Sequence, residues 1–209
     1  MNENLAIAVV GNFKFLLKHF NKFFKNITLE GNYSGDILVI TTYFAPTFLL
    51  FKITASPNVQ VLRFKKIKFK KETNIKLSNL ETRGRPNRHL TKNFQWHKLH
   101  IFNKKLKQWN YIFYIDLNMY IHHDINPILK KRPTGKVYAR SDGYPEFTKK
   151  LKSQFDETKE EFADMKKIFD IDKKDYIQTG VLYFDTKLID SNLHTDCIEL
   201  VNKYPITLT

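Results

Sequence analysis

Apolar and polar positions alternate along this chain with two different periods. Leu5–Val10 (LAIAVV) is a short unbroken apolar run, the pattern of a strand covered on both faces. Gly11-Asn12 ends it. Phe13, Leu16, Leu17, Phe20, Phe23 and Phe24 then recur at helical spacing with lysines between them. That spacing predicts a crossover helix packed on a sheet; a basic amphipathic helix lying on a membrane is the other reading. After a turn at 31–35, Asp36–Tyr43 (DILVITTY) and Asn58–Phe64 read as a second and a third strand. Strand and helix in alternation predict a parallel α/β sheet, which takes ligands beyond the carboxyl ends of its strands.

The segment from Arg63 to Lys76 is basic, with an imperfect period of two. It reads as a solvated loop or edge strand bearing lysines, or as a polyanion contact. From Leu90 a helical stripe returns through Phe94, Ile101, Phe102, Leu106 and Trp109. At ~100° per residue Lys98 falls in the middle of that stripe. A lysine there either snorkels or meets an anion. Tyr111–Ile115 is an aromatic and β-branched strand running into Asp116-Leu117-Asn118-Met119. In extended chain Asp116 and Asn118 point the same way and offer two oxygen donors to a hard divalent cation. A helix cap or turn is the plainer reading of that aspartate. Thr148–Asp175 reads as one or two surface helices, and Leu193–Tyr204 as a final helix in which Cys197 serves as a small buried hydrophobe.

Composition narrows the classes. The chain has 209 residues and is 42% hydrophobic, enough for one domain with a core. One cysteine excludes a disulfide scaffold, a zinc ribbon and an iron–sulfur protein. There is no secretory leader pattern and no run long enough to span a membrane, which sets the expectation of a cytoplasmic protein. The net charge is +14, but only six of the 35 basic residues are arginine, a bias expected of an AT-rich coding sequence. Three of those arginines cluster in the loop Arg83-Gly84-Arg85-Pro86-Asn87-Arg88, where Arg85 and Arg88 are candidates for an anionic ligand.

Taken in order, these motifs resemble the glycogenin-like, family 8 type of nucleotide-sugar glycosyltransferase. The strand ending in Asp116-Leu117-Asn118 stands where that family has Asp-x-Asp, followed by Tyr120-Ile121-His122-His123-Asp124-Ile125-Asn126-Pro127-Ile128-Leu129, which resembles its short apolar strand and "ID-x-LF" segment. Lys98-Leu99-His100-Ile101-Phe102 resembles the family's Lys-Leu-His-x-Trp. Gln178-Thr179-Gly180-Val181 resembles its Asn-Ser-Gly-Val, and Val137–Asp142 its strand towards the acceptor. The resemblance spans roughly residues 5 to 190. Small transferases of this type also occur in large DNA viruses, which would place the protein in the host cytoplasm.

The resemblance implies a Rossmann-like GT-A domain over residues 1–209. A nucleotide-binding half would run to about 115, and a metal, sugar and acceptor half would follow, short at its C-terminus, with further C-terminal domains in a parent protein. It implies transfer of a sugar from a nucleotide-diphosphate sugar, UDP-sugar first, to a glycan, protein or small-molecule acceptor. Asp116 and Asn118 would hold Mn²⁺ or Mg²⁺, and Lys98 would contact the diphosphate or sugar. Val9, Gly11 and Asn12 would line the base pocket, and Gln178, Thr179 and Gly180 the donor-sugar pocket. Asp142 would orient or deprotonate the acceptor hydroxyl; an Asx-turn before Gly143 is its alternative role. Two features depart from the family pattern. Asn118 replaces an acid, and the family's later Asp-Gln segment and metal-ligand histidine have no counterpart before Thr209. Of His122 and His123, adjacent on a strand, at most one would face a metal. A transferase-like module that binds without turnover is the first rival function. A basic nucleic-acid binder is the second, disfavoured because the aromatics follow core periodicity.

Overall fold

Strands β1 (Leu5–Val10), β2 (Asp36–Thr42), β3 (Val59–Phe64), β4 (Tyr111–Ile115), β5 (Val137–Ser141) and β6 (Ile177–Asp185) form one sheet in the order β3-β2-β1-β4-β6-β5. The computed structural model describes residues 4–46, 53, 56–79, 94–141 and 149–206. β3, β2, β1 and β4 are mutually parallel, while β6 runs antiparallel between β4 and β5. The expected mostly parallel α/β sheet is therefore present, with one reversed strand inserted.

Side chains leave the sheet with a period of two. Ile7, Val9, Ile37, Val39, Phe113 and Ile115 face helix α1 (Phe13–Leu29), which buries Leu16, Phe20, Phe23 and Ile27 against them. Burying each such side chain stabilises the fold by roughly 1.5–3 kcal/mol. Asn12 caps α1, its Oδ1 accepting the Phe15 N–H at 2.9 Å. The amphipathic segment is thus the expected crossover helix. No helix among the described residues is long and apolar enough to cross a membrane.

The opposite face, with Ala6, Ala8, Val10, Leu38, Ile40, Ile112 and Tyr114, is covered by Ile101, Leu106 and Trp109. Ile101 and Leu106 come from two 3₁₀ segments, Trp96–Phe102 and Lys104–Gln108, and Trp109 from the extended residue that ends the second; the continuous α-helix that the stripe predicts does not form there. Asn103 is the break. Its backbone is extended, and its Oδ1 accepts the Lys105 N–H at 3.1 Å, starting the second segment afresh. Helix α2 (Lys71–Asn79) also replaces part of the expected lysine loop, burying only Thr73 and Leu77 of its described side chains. Helices α3 (Asn126–Leu129), α4 (Glu160–Ile168) and α5 (Leu193–Lys203) complete the described helices. Phe162 and Met165 of α4 form a small separate cluster with Ile171, Tyr204 and Ile206.

A histidine group fastens the first 3₁₀ segment. His100 Nε2 lies 3.0 Å from the Lys65 carbonyl, its Nδ1 lies 3.0 Å from His194 Nε2 of α5, and its ring stacks on Phe64 at 4.5 Å. Burial, together with the neighbouring His97 and His194, pushes the His100 pKa down to about 3; burial lowers His97 and His194 too. All three therefore fold neutral. The unfolded chain takes protons below about pH 6.5 that the folded chain refuses, so this stability is intact above that pH and drains away towards pH 3. The urea midpoint should fall between pH 7.5 and pH 5, and His100→Gln should flatten that dependence. A midpoint independent of pH in the wild type would contradict it.

Candidate functional site

The carboxyl ends of β1, β2, β3 and β4 share one edge of the sheet. β6 is reversed and starts at that edge, and β5 ends there. Gly11-Asn12, Asp116 and Gln178-Thr179-Gly180 thus come to the same rim from three strands. Asp142 directly follows the last residue of β5 but lies outside the described residues, as do Arg85 and Arg88.

Asp116 is the centre of the rim. Its N–H donates to the Gly180 carbonyl at 2.8 Å, which ties the end of β4 to the start of β6. Its Oδ1 receives the Lys98 ammonium at 2.7 Å, the length of a charge-assisted bond. The Tyr114 hydroxyl donates to the same Oδ1. Tyr114 and Asp116 are two residues apart and so leave β4 on the same face, the one covered by the 3₁₀ segments that carry Lys98. The Lys98 Nζ also stands 5.4 Å from the centre of the Tyr114 ring. Burial, then the adjacent Asp116 charge, raises the Tyr114 pKa well above the ordinary phenol value, so the ring remains a hydrogen-bond donor. The side chains of Lys98 and Asp116 keep 31% and 30% of their surface exposed, so the pair faces solvent at the rim.

The other carboxylate oxygen borders Gly180. A Cβ built at Gly180 would lie 3.4 Å from Asp116 Oδ2 and 2.4 Å from the terminal methyl of Met119. Glycine there makes way for the Met119 methyl on the side of Asp116 Oδ2, whereas the contacts of Lys98 and Tyr114 fall on Oδ1. Gln178 and Thr179 are exposed on the same strand.

Several expectations take a different form. Asp116 to Met119 is a turn, closed by the Met119 N–H on the Asp116 carbonyl at 3.0 Å, so the two oxygen donors are not held side by side on extended chain. Leu117 is buried under α1, while Asn118 lines a cavity of about 140 Å³ with His19, Lys22, Phe23, Asn26, Leu117, Met119 and Tyr120. The chain beyond the turn is pinned to α1 by Asn26, which donates to the Ile121 carbonyl and accepts the Ile121 N–H, both at 2.6 Å. The Val9 side chain is 0% exposed in the core against α1, so it cannot line a base pocket. Gly11 is set by packing. A Cβ there would meet Leu16 Cγ at 2.8 Å and Leu117 Cδ2 at 3.3 Å. His122 and His123 are exposed, and His122 lies beside Tyr120. Among the described residues, no three His, Cys, Asp or Glu side chains gather into a metal-binding group. Tyr114 was not among the expected site residues; its only sequence signal is its place two residues before Asp116.

No family model and no curated protein sequence matches the chain. Solved structures do. An active-site mutant of LgtC superposes with a TM-score of 0.65 at 10% identity, over 98% of this chain and 66% of LgtC. The galactosyltransferase LgtC with donor and acceptor sugar analogs gives 0.57 at 11% identity, over 95% of this chain and 64% of LgtC. The mannosyltransferase Ktr4p from S. cerevisiae in complex with GDP gives 0.59 at 10% identity, over 98% of this chain and 63% of Ktr4p. The chain thus spans just under two-thirds of the length of these proteins. The likeness shows the fold alone, the GT-A fold of these glycosyltransferases.

The packing at Gly11 gives a test. Gly11→Ala should destabilise the protein by about 1–3 kcal/mol, because Leu16 and Leu117 must shift. Equilibrium urea unfolding measures it, and an unchanged midpoint would show that the close approach at Gly11 does not constrain the fold.

Proposed function

We propose that the protein is a glycosyltransferase that moves a sugar from a nucleotide-diphosphate sugar, UDP-sugar first, to an acceptor hydroxyl with the help of Mn²⁺ or Mg²⁺. The observation that carries this reading is the convergence of Lys98, Asp116 and Gly180 at one point of the rim of a GT-A fold. Gly180 is remote in sequence from the other two, and each of the three is a candidate on sequence grounds alone.

The donor set fits a divalent cation completed by substrate. Asp116 Oδ2 is a hard anionic oxygen on a side chain that keeps 30% of its surface exposed at the rim, and cations such as Mg²⁺ are commonly held by one or two carboxylates plus substrate phosphates. Asp116 would hold the metal. Asn118, turned to the cavity on the α1 side, would be a lesser ligand or none. When bound, the metal would stabilise the departing nucleoside diphosphate as a Lewis acid.

The remaining work falls to the chain. Lys98 provides a cation to the diphosphate, held in place by the histidine-fastened 3₁₀ segment. The N-terminal end of α1 opens at the same rim with the polarity that favours an anion. Gln178 and Thr179 flank the sugar at the start of β6. As the bond from the sugar to the phosphate oxygen breaks, the acceptor oxygen takes its place and must lose a proton. Asp142, next after β5, is the proposed recipient.

Calorimetric titration with uridine diphosphate and Mn²⁺, together with a donor-hydrolysis assay, tests the reading. Asp116→Ala should weaken manganese-dependent nucleotide binding at least tenfold, and Asn118→Ala less than threefold. Binding without hydrolysis or transfer to any acceptor would leave a nucleotide-sugar-binding module. Unaltered binding in Asp116→Ala would remove the metal assignment.

A further inference from the structure

We infer that Lys98 is a built-in counter-ion that bars free metal from Asp116 and yields that carboxylate only when a nucleoside diphosphate arrives. The inference rests on the reading of Asp116 as the metal ligand. The free protein then has little affinity for Mn²⁺ or Mg²⁺ alone, and the metal enters together with the nucleotide.

The geometry leads there in three steps. First, the charge at Asp116 is already balanced, since the Lys98 ammonium sits 2.7 Å from Oδ1 and the Tyr114 hydroxyl donates to the same atom. A dication approaching Oδ2 meets a fixed positive charge across a single carboxylate. No further cluster of acidic or histidine ligands gathers among the described residues to offset that repulsion.

Second, Lys98 is not a loose surface lysine. Its segment is anchored on both sides of it. His97 and Ile101 are buried, and His100 joins the Lys65 carbonyl and His194. The ammonium is therefore returned to Asp116 whenever no other anion is present.

Third, a diphosphate removes the obstacle in two ways at once. Its oxygens give the ammonium a second partner, and they bring the metal most of its own ligands. Tyr114 stays on Oδ1 throughout, because its ring is fully buried and its hydroxyl reaches that atom from a fixed place in β4. The carboxylate consequently holds its orientation while Lys98 moves, and Oδ2 stays on the Gly180 side, available to the incoming metal.

One substitution then has opposite effects on two ligands. Lys98→Met removes the barrier and should tighten binding of Mn²⁺ alone at least tenfold over the wild type. It also removes a cation from the diphosphate and should weaken uridine diphosphate binding, measured in the presence of Mn²⁺, at least tenfold. Lys98→Arg keeps the charge and should show no gain for Mn²⁺ alone. Asp116→Ala added to Lys98→Met should abolish the gain, which locates it at this carboxylate. Lys98→Gln serves if the methionine variant fails to fold, as judged by its urea midpoint. Free-Mn²⁺ electron paramagnetic resonance reads the metal arm without any assay of activity.

Equal Mn²⁺ affinity in the wild type and Lys98→Met would overturn the inference. So would a gain that survives Asp116→Ala. Because this comparison uses metal alone, it stands apart from the transferase reading. Wild-type protein that binds no nucleoside diphosphate would defeat that reading while the metal comparison still decides the role of Lys98.

Discussion

Four parallel strands covered on both faces leave almost no room for charge. β1 is Leu-Ala-Ile-Ala-Val-Val and β4 is Tyr-Ile-Phe-Tyr-Ile, with α1 packed on one side of the sheet and the 3₁₀ segments on the other. An ionisable side chain inside such a strand would bear the full cost of desolvation. The chemistry is therefore displaced to the strand ends, and the parallel register puts four of those ends on one edge. Asp116 is the first position after β4 at which a carboxylate can reach water, and Tyr114 is the last at which a hydroxyl can reach it from within the core. The site follows from the sheet rather than being added to it.

The ion pair at that edge is built from one layer of the molecule only. Lys98 arrives from the layer over the Ala6, Ala8 and Tyr114 side, whereas Asn118, past the turn, belongs with the α1 side. The two polar features that flank Asp116 thus answer to different layers of the molecule. Packing changes over one face need not disturb the other, and Asp116, Met119 and Gly180 lie together where the two approach.

Much of this was legible in the sequence, for definite reasons. Continuous apolar runs give away buried parallel strands, because nothing else needs six apolar residues without a break. α1 was legible because a 17-residue helix repeats its stripe several times. The stretch from 94 to 109 was misread because a 3₁₀ turn advances a residue by about 120° rather than 100°, and the apolar spacing fits both over a short span. Lys98 was consequently singled out by an angular argument that does not hold for its segment, yet it does face an anion. α2 was hidden because its described buried face amounts to Thr73 and Leu77 among lysines and asparagines. The closeness of Gly180 to Asp116 was invisible, since it depends on the register of an antiparallel pair. Tyr114 was passed over because an aromatic in a core strand looks the same whether or not its hydroxyl has work at the end of the ring.

The reversal of β6 has a consequence for how the protein comes into being. Lys98 and Asp116 are close in sequence, but Gly180 reaches them only when β6 slides in between β4 and β5. During synthesis the N-terminal strands can pair and α1 can dock while the rim still lacks one wall. Non-local strand pairing of this kind is slow relative to local helix formation. The last strand to enter the sheet is then also the one that finishes the rim, so a chain with a complete rim has, by the same event, closed its core. Completion of this rim doubles as a marker that folding has run its course.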